Sequence, residues 1–134
     1  MSLSGLTILR GLVSMPILAG TGFVAMSLGL LPLDPQLEAI AKLFIGDSFP
    51  LMSFLGILGA AKIAAALSFW GYGPLPHDVA VLGMSLPAFC AIYGHYVVDG
   101  PLQTLPPIIY LGLLVTYYFL SPSDASSTTP KKRE

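Results

Sequence analysis

Lys62, His95 and Asp99 are the side chains of this sequence whose types and spacing raise a chemical question. Lys62 falls near the middle of Leu51 to Trp70, LMSFLGILGAAKIAAALSFW, twenty residues that are otherwise compatible with lipid. With about 1.5 Å of rise per residue it lies roughly 16 Å along a helix that begins at Leu51. An ammonium at that depth costs about 2.5 to 3.5 kcal/mol to insert, so it normally turns toward other helices, a carboxylate or a water-filled pocket. His95 and Asp99 are four residues apart and therefore share one face of a helix. Asp99 ends that helix, where the dipole disfavours negative charge and calls for a cation. The three define a polar cluster that either ties helices together or holds a ligand headgroup or relays a proton, with Tyr96 beside it as a further candidate. The cluster is incomplete as a catalytic set.

Such side chains need elements to hold them, and composition fixes what kind. The 134 residues are 54% hydrophobic and only 10% charged, with a mean hydropathy of +0.79, far from the average of a water-soluble domain. The expected fold is all-α, an integral membrane antiparallel four-helix bundle formed by residues 1–120, with a short interfacial helix between helices 1 and 2. Residues 121–134 read as a polar cytoplasmic tail without fixed structure. A net charge of −1 gives no reason to expect a nucleic-acid partner, and one cysteine, Cys90, provides neither a disulfide nor a metal cluster. No metal site and no cofactor motif is expected.

The first apolar run extends from Leu6 to Leu31, with Arg10 one turn inside it and Pro16 as a kink. It is longer than the apolar core of a secretory signal and lacks a preceding basic stretch, so it reads as a membrane helix. LDPQLEAIAKLFIG then predicts a short helix, with Asp34 as N-cap, Pro35 in the first turn, Gly46 as the stop and Glu38 paired to Lys42. Leu33, Leu37, Ile40 and Phe44 share its apolar side, either against the membrane interface, as a lid over the bundle, or as an exposed connection. The third span is expected over Val79 to Val98, capped by Asp78 and ended by Gly100 and Pro101, with Cys90 as a packing residue and His77 in the preceding turn. The fourth is expected over Leu105 to Leu120, capped by Thr104 and, at about 24 Å, short for a full crossing.

Gly56, Gly59, Ala60 and Ala64 form a ladder of small residues through which the second span would approach another helix, of this chain or of a partner. Arg10, Lys131, Lys132 and Arg133 lie on the terminal side and Lys42 alone on the other, which orients both termini to the cytoplasm. Arg10 reads as an interface residue reaching headgroups. Trp70, Tyr72, Tyr117 and Tyr118 would form the inner aromatic belt, and Phe49, Tyr93 and Tyr96 the outer one. Lys131 and Lys132, fourth and third from the C-terminus, match a dilysine retrieval signal of endoplasmic-reticulum membrane proteins, or an ordinary positive-inside cluster.

Three segments carry a resemblance: TILRGLVSMPILAGTGF around Arg10, LGILGAAKIAAAL around Lys62, and AFCAIYGHYVVDGPLQTLPPIIYLGLL with His95 and Pro106. The chain resembles the DoxX-like family of small four-helix membrane proteins over most of residues 7–120. That resemblance implies a compact antiparallel bundle; some members are subunits of thiol- or quinone-linked oxidoreductases, and a eukaryotic branch acts as an endoplasmic-reticulum chaperone. The four-helix sterol isomerases are a weaker match, since their chemistry wants carboxylates inside the membrane and Glu38 and Glu134 lie outside the spans.

Two functions follow as expectations. The first is a non-enzymatic accessory, assembly or chaperone-like subunit, embedded in the lipid bilayer and bound to other membrane-protein subunits, and located in the endoplasmic reticulum if the source is eukaryotic. The alternative is a small subunit of a quinone-linked oxidoreductase, binding a quinone or lipid near Lys62 and His95.

Overall fold

The structure, a computed structural model, describes residues 2–121; the expected tail and its Lys131–Lys132 signal lie outside the described residues. Six α-helices follow in order: α1 (Leu3–Ser14), α2 (Pro16–Ser27), α3 (Pro35–Ile45), α4 (Leu51–Phe69), α5 (His77–Val98) and α6 (Leu105–Leu120), the last preceded by a 3₁₀ turn at Pro101–Thr104. Among the described residues there is no strand. Among the described residues four helical stretches are long and apolar enough to cross a membrane: Ser4–Ser27, Leu51–Phe69, His77–Val98 and Pro101–Leu120.

The first run is a broken helix. Pro16 has no N–H to donate, and the turn at Met15 tightens, with the Met15 and Leu18 amides bonding three residues back to Leu12 and Met15. The Val13 carbonyl at this break accepts the Tyr110 hydroxyl at 2.7 Å, which fixes the bend to α6.

Two caps differ from expectation. Asp78 lies inside the first turn of α5, which starts at His77 after Pro76 and has no side-chain cap; Pro76 already sets the entry angle. Thr104 is helical rather than extended, and its hydroxyl donates to the Pro101 carbonyl at 2.5 Å instead of capping α6. The 3₁₀ turn supplies the length that α6 lacks. The α3 expectations hold: the Gln36 amide donates to Asp34 at 3.0 Å, Glu38 pairs with Lys42 at 3.1 Å, and Gly46 ends the helix at φ +55°, a conformation open to glycine.

α2 and α4 make the most extensive contact of the fold. Its centre is a glycine pair: a Cβ on Gly59 would stand 2.5 Å from the Gly20 carbonyl oxygen, and one on Gly20 2.8 Å from that of Gly59. Gly56 faces Ser27 in the same seam. Ala60, by contrast, is exposed, and the Ala64 carbonyl lies against Gly73 after the end of α4, so the tight face runs through the glycines.

The packed core joins α1, the second half of α4, the first half of α5 and the second half of α6, through Leu9, Val13, Ala66, Phe69, Met84, Leu114 and Tyr117. Tyr117 belongs here and not to the inner aromatic belt: it is 1% exposed and meets the Phe69 ring edge-on at 5.3 Å. The other half of the molecule, where α3 lies across α4 and α5, is hollow.

Candidate functional site

The hollow is a chamber of about 270 Å³ between α2, α3, α4 and α5. Its walls are apolar side chains, Phe23, Phe44, Phe54 and Leu58 among them, and its few polar groups are Asp34, Gln36, Lys62, Cys90 and His95. A mostly apolar cavity with a handful of converging polar groups is the usual form of a small-molecule site.

α3 forms the roof because its apolar stripe has a seat. Gly94 leaves room for Ile40, whose side chain occupies the place that a Cβ at residue 94 would need. Phe44 meets Tyr93 edge-on at 5.9 Å one turn further along. At the opposite end of α3 the Gln36 side-chain amide donates to Asp99, and Asp99 in turn lies 2.6 Å from His95 Nδ1. One carboxylate thus joins the roof to the end of α5. The His95 hydrogen bond, followed by that from Gln36, holds the Asp99 carboxyl below the usual carboxylate range. An ionised Asp99 selects the His95 tautomer with hydrogen on Nδ1, which leaves Nε2 as the second ring nitrogen.

Lys62 reaches the chamber from α4. Side chains on a helix lean toward its N-terminus, here the end covered by α3. The ammonium stands 5.8 Å from the centroid of the Phe23 ring, within range of a cation–π contact. Among the described residues the ion pairs are Glu38 with Lys42 and His95 with Asp99, and Lys62 takes part in neither.

The expected cluster is therefore rearranged. His95 and Asp99 pair, and His95 shares a chamber with Lys62, but Asp99 is engaged by His95 and Gln36 and does not serve as the counter-ion of the lysine. Tyr96 is 62% exposed and does not line the chamber, since one residue along a helix turns the side chain by about 100° away from His95. Cys90 is exposed at the chamber wall rather than packed. Gln36 and Gly94 carry the roof and were not singled out in the sequence. The signals for them are faint, a polar residue in the first turn of α3 and a glycine in mid-helix beside His95.

A second set of polar contacts lies at the packed end. Trp70 Nε1–H donates to Ser14 Oγ at 2.9 Å, Ser14 donates to the Arg10 carbonyl at 2.7 Å, and the Arg10 guanidinium lies 5.3 Å from the Trp70 ring centroid. Arg10 is thus fastened to a tryptophan rather than simply extended. His77 is not a loop residue: it is the first residue of α5, 6% exposed, and stacks on Tyr118 with planes 7° apart. This cluster does not line the chamber and reads as packing.

Among the described residues no group of three or more His, Cys, Asp and Glu could hold a metal. Compared with protein-family models, with curated proteins and with solved structures, the chain matches none.

Proposed function

We propose that the chain is a multi-pass membrane protein, an antiparallel four-helix bundle of the DoxX-like kind, whose role is to bind a membrane-soluble small molecule, a lipid or a quinone, in the α3-roofed chamber. The observation that carries this is Lys62: a cation in mid-helix that opens on an apolar-walled chamber of about 270 Å³ and joins no ion pair among the described residues. Intramembrane charge is expensive, and a partner supplied by a ligand is one way to compensate it. The exposed outer faces of the helices, with Ile8, Leu18, Ile57, Leu82 and Phe119, suit a lipid surrounding. The bias of Lys and Arg toward the terminal side supports cytoplasmic termini, with α3 in the opposite interface. No catalytic step is assigned.

The accessory role expected from the small-residue ladder has less support, because Gly56 and Gly59 face Ser27 and Gly20 of the same chain. Any place in a larger complex, in the endoplasmic reticulum or elsewhere, is then that of a ligand-carrying subunit. The test uses Cys90, the one cysteine, at the chamber wall. Protein purified in mild detergent should release a lipid or quinone on organic extraction, and delipidation should speed Cys90 alkylation. No species above the detergent blank, together with an unchanged alkylation rate, would sink the proposal.

A further inference from the structure

Lys62 borders two cavities. The second, of about 600 Å³, opens between the α1–α2 break, α5 and α6, with Met15, Pro16, Met84, Tyr110 and Leu113 in its wall. Lys62, Pro87 and Ala91 line both spaces. The crevice has a local cause in the sequence. Pro16, Pro87, Pro106 and Pro107 bring rings and missing amide donors to the three segments that meet there.

We infer that the two cavities hold one ligand, a single-chain amphiphile with an anionic head, its head on Lys62 Nζ in the chamber and its chain in the α5–α6 crevice. This rests on the binding role proposed above and names the ligand class. Charge argues for the anion. The chamber's carboxylate, Asp34, caps α3 at the rim and accepts the Gln36 amide, so negative charge lies at the mouth and positive charge at depth. The crevice argues for the chain. Apart from Lys62 its wall has one polar side chain, Tyr110, whose hydroxyl is already committed to the Val13 carbonyl at 2.7 Å. That surface offers a ligand alkyl and aromatic contact only. A headgroup at the junction and a chain in the crevice satisfy both halves, and a carboxylate and a phosphate monoester share the chemistry that an ammonium accepts.

The experiment needs no variant at its core. The full chain in nanodiscs of neutral lipid is treated with a maleimide, and Cys90 alkylation is followed as hexadecanoate, hexadecyl phosphate or hexadecanol is added. An ion pair with a desolvated ammonium should let at least one of the anions protect Cys90 at about a tenfold lower concentration than the alcohol. Protection by the acid alone or by the phosphate alone identifies the source of the anion, and either result supports the proposal. In Lys62→Met the advantage should fall to within about twofold, whereas Lys62→Arg should keep it. Leu113→Trp, which fills the crevice, should weaken protection by all three. Equal protection by anions and alcohol overturns the anionic head and leaves the binding role standing, and an unaffected Leu113→Trp overturns the chain path. Protection by none of the three overturns both. Should Lys62→Met fail to fold, the wild-type comparison of heads decides alone.

Discussion

His95 Nδ1 and the Asp99 carboxylate lie 2.6 Å apart at the end of α5, and the same carboxylate accepts the Gln36 side chain of α3. A pair that the sequence spacing suggests as a local matter thus becomes the fastening of a separate helix over a cavity.

Gln36→Leu should loosen that fastening from one side. Loss of one hydrogen bond predicts a rise of about threefold to tenfold in amide exchange across residues 35–45, with α4 and α5 unchanged. Hydrogen exchange with peptide-level readout checks it; equal protection in variant and wild type would remove the latch.

Acid should act on the same contact. Because the folded-state Asp99 carboxyl is held below its ordinary value, by His95 first and Gln36 second, its stabilising effect is complete above the ordinary carboxylate range. It is lost as pH falls through the lowered value. The protection of α3 amides relative to their intrinsic exchange should therefore stay flat from about pH 7 to 5 and fall only below about pH 4, and Asp99→Asn should abolish that acid limb.

The glycine seam makes a sharper demand. Gly59→Ala places a methyl 2.5 Å from the Gly20 carbonyl oxygen, a backbone atom, and should destabilise the fold by about 1 to 3 kcal/mol through overpacking. Gly22→Ala, with nothing within 4 Å, should change stability by less than about 0.5 kcal/mol. Thermal unfolding in detergent compares the two.

At the packed end, Arg10→Gln removes the cation beside Trp70. The expected loss is about 0.5 to 2 kcal/mol, accompanied by a shift in the emission of the chain's one tryptophan. Ser14→Ala should shift that emission as well by removing the acceptor of the indole N–H.

The apolar run lengths made the four long helices legible, and Asp34, Pro35 and Gly46 bounded α3 correctly because caps act within a few residues. Lys62 and His95 were legible as odd residues in apolar helices. Their relation was not, since which carboxylate serves which cation depends on how α3 folds back, and that is set by Gly94 and Ile40, residues far apart in the chain with no charge to mark them. Tyr117 was misplaced for a similar reason: aromatic residues near a helix end suit both a membrane belt and a core, and contact with Phe69 and His77 decides for the core.

The most direct test of the central claim is an experimental density map of the protein extracted from its native membrane without added ligand. The account expects ligand density in the chamber with a polar group about 2.7 to 3.2 Å from Lys62 Nζ, and an elongated feature continuing from it into the α5–α6 crevice. A chamber filled by side chains, or Lys62 paired with a carboxylate of the protein itself, would contradict it.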